Sequence, residues 1–258
     1  MAGPQTRSSL FIPQPTPTVL ALILANVAVY VVEIILIRAG FGETLRNYLF
    51  LTPAAVLGRG MVWQTVSYGF FHDPVSPMHL LFNMLMLWPF GTQMESWWGR
   101  RRILVAYFVF LFSGGLLTVL FGGLCLLPPL SGLLSSFPYV PHLGASGAVL
   151  GLMVSWGLVN ANRTVEMVFL GRMKGKTVVL IFIGVQLLSA LSFSPESATA
   201  HFGGIAGAFV LGMGLWKPDG WRKLFKRQGL KQRRALIERE LRVLEGGLGK
   251  DDDPKKWN

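Results

Sequence analysis

Charged residues are scarce. Asp, Glu, Lys and Arg make up 14% of the 258 residues, and acids are the rarer sign, 13 against 24 Lys and Arg. With 52% hydrophobic residues and a mean hydropathy of +0.48, the chain is too apolar for an ordinary soluble domain and reads as a polytopic membrane protein. Most of the length goes into spans, which leaves one membrane domain with tails. Cysteine is nearly absent. The single Cys125 excludes an internal disulfide and any cysteine cluster for a metal, and leaves the redox compartment open. In its apolar stretch it reads as a small packing residue. No HExxH helix is present, and neither a metal nor a cofactor is expected. No cleavable signal peptide is evident. Residues 1–17, with Arg7 and four prolines (Pro4, Pro13, Pro15, Pro17), read as a short flexible arm.

What the chain has in quantity is apolar runs. Six are long enough to cross a bilayer core of about 30 Å, which takes roughly 20 helical residues. They lie near 18–37, 78–97, 103–121, 144–161, 177–193 and 199–216. This predicts an all-α fold, a six-transmembrane-helix bundle over 18–216 followed by a tail at 217–258. Short loops on the cytoplasmic side hold the excess of Lys and Arg. The second-to-third connection holds Arg100, Arg101 and Arg102, and the fourth-to-fifth holds Arg163, Arg172, Lys174 and Lys176. The tail after the sixth run holds thirteen Lys or Arg, whereas 122–143 and 194–198 hold none. Both termini are therefore predicted to be cytoplasmic. The same distribution explains the +11 net charge through membrane orientation, so no nucleic-acid partner is expected.

Two further segments carry structure. Residues 44–76 place Trp63, Tyr68, Phe70 and Phe71 among prolines and glycines, which predicts a structured first external loop, partly embedded in the interface. Residues 221–245 put Leu230, Ile237, Leu241 and Leu244 on one stripe, with Lys231, Arg234 and Arg242 elsewhere. That predicts a basic amphipathic helix resting on anionic lipid of the cytoplasmic leaflet.

The reactive groups gather on one side. The stretch His142 to Leu152 sets a single hydroxyl, Ser146, among small residues where an apolar helix begins. Read alone, Ser146 is either a packing residue or a nucleophile. The predicted orientation places it at the outer end of the fourth helix. His201 falls at the outer end of the sixth, and His79 and Asn83 at the outer end of the second. Polar groups at that depth are expensive and mark function by default. Gly144, Gly147 and Gly151 on one helix, and Gly203, Gly204, Gly207 and Ala208 on the other, have the small-residue spacing that lets two helices touch. If those faces meet, hydroxyl and imidazole meet with them. An imidazole is a suitable base for a serine. The Ser146 backbone N–H at a helix start, the Asn83 amide and the His79 ring N–H are donors for a developing oxyanion. Asp73 and Glu196 are the acids of the external loops near the site, and neither has a motif around it, so the expectation is a Ser–His dyad. Glu95 lies near the cytoplasmic end of the second helix and reads as a structural partner for backbone or Arg groups.

These residues resemble the rhomboid family of intramembrane serine proteases. The resemblance rests on Gly144-Ala145-Ser146-Gly147, on His201 followed by Gly203 and Gly204, and on His79 with Asn83 four residues on; Gly91 to Glu95 and Gly99 also match. It covers the six-helix core, 18–216. It implies a serine-type endopeptidase that hydrolyses peptide bonds within or beside transmembrane segments. Ser146 is then the nucleophile, His201 the general base, and His79, Asn83 and the Ser146 N–H the oxyanion hole. The implied substrates are single-span proteins whose helices unwind easily, since a protease binds extended backbone. Two departures bear on the site. Bacterial relatives often carry an aromatic four residues after the serine, stacked on the base; Leu150 stands there, so apolar packing or another ring must hold His201. A Trp-Arg pair of the first loop is replaced by Trp63-Gln64.

Two other readings compete. The histidines at 72, 79, 142 and 201 all fall on the external side, which permits a metal transporter or a zinc protease. Against it stand the missing HExxH helix, the missing cysteine cluster and the lack of an acid at matching depth. A catalytically inactive rhomboid-like binder of membrane proteins keeps the fold without the chemistry, but such relatives typically lose the Ser or the His. The compact six-span form and the lack of a transit peptide point to a multi-pass protein of the bacterial inner membrane.

Overall fold

The computed structural model describes residues 14–167, 171–191 and 195–212. The basic amphipathic helix predicted near 221–245 and all but the end of the arm predicted at 1–17 lie outside the described residues.

The described residues are mostly helical. Helix α1 (Pro17–Leu36) starts on a proline, whose missing N–H is no loss in a first turn. A π-helical turn at Ile37–Phe41 leads into α2 (Gly42–Leu49). Short helices α3 (Pro53–Arg59) and α4 (Gln64–Ser67) follow, the latter running into a 3₁₀ turn at Tyr68–Phe70. Helix α5 (Pro77–Trp98) also begins on proline, and Gly99 turns the chain into α6 (Arg100–Leu124). After the single turn of α7 (Leu130–Leu133) come α8 (Ser146–Val159), strands β1 (Thr164–Met167) and β2 (Gly171–Lys174), α9 (Gly175–Leu191) and α10 (Pro195–Gly212).

The six longer helices of the described residues fall on the six apolar runs. Pro17–Leu49 and Arg100–Leu124 are long and apolar enough to cross a membrane, and Ser146–Val159, Gly175–Leu188 and Ala198–Leu211 are shorter apolar stretches. Lipid-facing character is visible in α1 itself, where Leu24, Val31, Val32 and Ile35 are exposed while Asn26 and Glu33 are buried. Such an inverted helix is stable only if its outer face meets hydrocarbon. The fourth-to-fifth connection is a surprise. It is an antiparallel hairpin, Thr164 facing Lys174 and Val165 facing Met173, where a basic loop was expected.

Helix α6 runs through the middle of the bundle, with Tyr107, Phe110 and Leu111 fully buried on it. The small-residue seam predicted between the fourth and sixth runs is only partly present. Gly204 of α10 lies on Gly147 of α8, so closely that a Cβ on Gly204 would stand 2.0 Å from the Gly147 carbonyl oxygen. Gly151, however, receives the Phe110 ring of α6, and Gly203 and Gly207 face Ser113 of the same helix. A glycine stripe on a helix has two flanks, and α6 takes the second on both α8 and α10.

The segment between α1 and α5, the first loop expected from the sequence, carries the short helices α2, α3 and α4. Its anchor is Gln64, fully buried, whose Oε1 accepts from the Thr52 N–H at 3.1 Å and whose Nε2 donates to the Asn47 carbonyl at 2.9 Å. The Trp63 indole donates to the Tyr48 carbonyl at 2.7 Å. An amide therefore secures the loop where relatives often place an arginine. Leu51 and His142 exchange both backbone hydrogen bonds, 3.0 and 2.8 Å, which joins the first loop to the segment leading into α8.

Glu95 sits at the opposite end of α5 from His79. Its carboxylate accepts from the hydroxyls of Thr16 and Thr18, at 2.5 and 2.6 Å, and from the Val19 N–H at 3.2 Å. It thus caps the start of α1, where free N–H groups and the helix dipole both favour an anion. Backbone and hydroxyl groups are thus its partners.

Candidate active site

The segment before α8 is shaped by Gly144. Its φ of 122° lies in the region open to glycine, and its N–H donates to the Tyr68 carbonyl at 3.0 Å. Tyr68 is itself buried, with its hydroxyl on the Leu111 carbonyl of α6 at 3.0 Å. The approach to Ser146 is therefore held between the first loop and the central helix. Ser146 is the first residue of α8, and the N-cap residue, Ala145, supplies no side-chain cap. The first N–H groups of a helix have no acceptor within it, so an uncapped start leaves donors available.

His201 meets this serine from α10. Its Nε2 lies 2.7 Å from the Ser146 Oγ. Helix α10 begins at Pro195, earlier than the predicted 199, so His201 stands in its second turn, about 9 Å along the axis at 1.5 Å per residue. The Gly204–Gly147 contact, one turn beyond His201 and one residue beyond Ser146, brings the two backbones close enough for the side chains to bond.

The other ring nitrogen has a partner that sequence reasoning missed. His201 Nδ1 lies 2.5 Å from the Oε1 of Gln186, on α9. An amide oxygen only accepts, so this contact is a hydrogen bond when Nδ1 carries the proton, the tautomer that leaves Nε2 to accept from the serine hydroxyl. The expected support by a ring or by apolar packing is corrected accordingly: what holds His201 is a hydrogen bond, and Leu150 is a buried core residue of α8. The signal was present in the sequence as an amide inside an apolar helix.

The His79 ring and the Ser146 Oγ flank a common point. A Cβ on Gly144 would lie 2.9 Å from His79 Cε1 and Nε2 and 3.6 Å from the Ser146 Oγ. Asn83 is buried, and its Nδ2 donates to the His79 carbonyl one turn back at 3.0 Å. Of the predicted structural glycines, Gly144 and Gly147 shape the serine's surroundings, Gly204 sets the helix approach, and Gly151 serves packing against α6.

Acids near the site differ from expectation. The Asp73 carboxylate turns back on its own chain, accepting from the Val75 N–H at 2.9 Å. The Glu196 side chain lies outside the described residues. Glu33 of α1 is an acid at this depth that inspection of the loops passes over. It is fully buried, and its Oε2 accepts from the His72 N–H at 3.2 Å. The His72 and His79 rings meet edge to face at 5.1 Å. His72 lies between the spans with both ring nitrogens buried and without a hydrogen-bond partner among the described residues. Burial, reinforced by the neighbouring His79, holds its pKa down at about 4, so it is neutral at physiological pH. No group of three His, Cys, Asp or Glu suited to a metal occurs among the described residues.

A hydroxyl bonded to an imidazole whose second nitrogen is held by an acceptor is an arrangement that can activate a serine. Comparison with known proteins agrees with the architecture. A family model described as the Rhomboid domain matches residues 59–218. The chain is similar to a protein named Rhomboid protease GluP from Bacillus subtilis, 26% identical over 195 residues, which is 74% of this chain and 34% of that one. It is also similar to RHOMBOID-like protein 4 of Arabidopsis thaliana, 31% identical over 68% of this chain and 40% of the relative. RHOMBOID-like protein 7 of the same plant is 28% identical over 66% and 48%. The matched part of this chain thus spans a third to a half of the length of these relatives. With a domain match over more than half its residues and apolar helices on the runs that predicted them, this chain is an integral membrane protein of the rhomboid family.

Proposed function

We propose that the chain is an intramembrane serine endopeptidase. The observation that carries this reading is the 2.7 Å contact of Ser146 Oγ with His201 Nε2 at an uncapped helix start. Ser146 Oγ attacks the carbonyl carbon of the scissile peptide bond while its proton passes to His201 Nε2. The negative charge on the carbonyl oxygen is met by the Ser146 N–H, the His79 ring and the Asn83 amide. Collapse of the tetrahedral intermediate breaks the C–N bond, and His201 returns the proton to the leaving amine. Water then gives its proton to the same imidazole and attacks the acyl carbon; the C–Oγ bond breaks, the acid product leaves, and His201 returns the proton to the Ser146 Oγ.

The finer architecture goes with this reading. Residues 18–216 form a six-span domain with both termini in the cytoplasm of a bacterial cell, and the basic tail lies on anionic lipid. The site faces a water-filled outer cavity, because hydrolysis needs water and hydrocarbon holds none. Substrates are single-span membrane proteins whose helices unwind to present extended backbone at the serine.

The test compares wild type, Ser146→Ala and His201→Ala on a model transmembrane substrate in liposomes. Cleavage by wild type and its loss in both variants is expected, together with labelling by a fluorophosphonate probe that Ser146→Ala abolishes. Equal cleavage by all three removes Ser146 and His201 from the chemistry. A folded wild type that cleaves nothing and resists the probe points instead to a non-catalytic binder.

A further inference from the structure

We propose that Gln186 of α9 is the positioning residue of the base, a role that rests on the protease reading of Ser146 and His201. Three observations converge on it. First, the Oε1 of Gln186 stands 2.5 Å from His201 Nδ1, the ring nitrogen that the serine does not contact. Second, Gln186 is turned inward on an apolar helix: Val185, Leu187 and Leu188 around it are exposed, with Val185 and Leu187 each 54% exposed, while Gln186 is part-buried. An amide in such a helix is unfavourable unless it is bonded, and its bond goes to the base. Third, among the described residues no carboxylate does this work, since Asp73 turns back on its own loop and Glu33 is engaged with the His72 backbone.

The consequence follows from the chemistry of imidazole. A neutral ring has one N–H and one acceptor nitrogen, and only the tautomer protonated at Nδ1 accepts the serine proton at Nε2. Gln186 selects that tautomer and fixes the ring's rotation without adding charge. A neutral acceptor suits a site inside a membrane, where an ionised carboxylate is costly to bury. Because Ser146, His201 and Gln186 lie on three different helices, base orientation depends on how α9 is seated against α10.

The experiment uses the full chain in detergent micelles or nanodiscs, with 15N-labelled histidine. Four histidines give four pairs of ring signals, and His201 is assigned by its loss in His201→Ala. In wild type the His201 ring is expected as a single tautomer protonated at Nδ1. Gln186→Leu, similar in size but lacking an acceptor, loses that single tautomer. Its kcat falls by about 10- to 100-fold, part of what a general base contributes, with KM within about twofold. Gln186→Glu restores an acceptor at the same reach and recovers kcat to within a few-fold of wild type. A Gln186→Leu protein that keeps the Nδ1 tautomer overturns the proposal, and so does one that keeps wild-type kcat. A loss of thermal stability alone, with tautomer and kcat unchanged, likewise reduces Gln186 to a helix tie. The tautomer is read without turnover, so it decides the positioning role even if wild type cleaves no substrate.

Discussion

Gly204→Ala tests whether the approach of α8 and α10 builds the site, beyond the identity of Ser146 and His201. The added methyl group would lie 2.0 Å from the Gly147 carbonyl oxygen and 2.7 Å from its carbon. Ordinary contact starts at 3.4 Å, so the helices must part by about 1.4 Å locally. Both atoms are backbone, so no side-chain rotation relieves the clash. Ser146 precedes Gly147, and His201 lies one turn before Gly204; the separation passes directly to their 2.7 Å contact and carries it to about 4 Å, outside hydrogen-bonding range. A misplacement of about 1 Å can lower a rate about 100-fold. Overpacking at such a contact costs about 1–3 kcal/mol of stability. The expected result is a loss of kcat/KM of about 100-fold on a transmembrane substrate, with a lowered thermal midpoint in micelles. Gly184→Ala, on α9 where an added Cβ meets nothing within 4 Å, serves as the control and keeps both. Wild-type cleavage and an unchanged midpoint in Gly204→Ala would refute the argument that this contact sets the serine–histidine distance.

Three further outcomes follow from individual side chains. Glu95→Ala leaves two threonine hydroxyls and the Val19 N–H without their acceptor, and is expected to cost about 2 kcal/mol in a thermal or denaturant melt while the folded fraction still reacts with the serine probe. Gln64→Leu strands the Thr52 N–H and the Asn47 carbonyl in a buried loop, costing about 1–3 kcal/mol, with faster limited proteolysis between α2 and α4 as the readout. His72 is neutral in the folded protein down to about pH 4 and titrates near 6.5 when unfolded. Between those values the unfolded state binds the extra proton, so stability is complete above pH 6.5 and falls as pH drops, by about 3 kcal/mol at pH 4. His72→Phe removes that component and two unpartnered nitrogens, so its thermal midpoint should fall less between pH 7.5 and pH 4.5 than that of wild type; an equal fall in both would exclude His72 as its source.

How much of this was legible beforehand differs by residue, for reasons of range. Apolar runs and loop charges act over one span at a time, so the helices and the candidate depth of Ser146, His201 and His79 could be read from composition alone. Trp63, Tyr68 and Phe71 likewise led to the expectation of a structured first loop, because so much aromatic surface has to be covered. The partner of His201 was harder. Its helix runs the opposite way to α8, and counting back from Leu191 puts Gln186 about 8 Å from the end at 1.5 Å per residue, close to the depth of His201. Position along the helix did not single it out; only the rotation of α9 about its axis turned the amide toward the ring and its neighbours outward.

The same division holds for the rest of the molecule. Sequence by itself determined the membrane-spanning character and the small-residue helix faces, since each follows from the local cost of placing a residue in hydrocarbon; the common depth of the polar groups was an expectation drawn from loop charge. Tertiary structure decided which flank of each glycine stripe meets which neighbour, sending Gly204 onto Gly147 but Gly151, Gly203 and Gly207 onto α6. It also decided that Glu33 reaches His72 and that Glu95 caps α1. These are contacts between helices, and the packing of three or more helices around α6 selects among pairings that hydrophobic periodicity leaves equal.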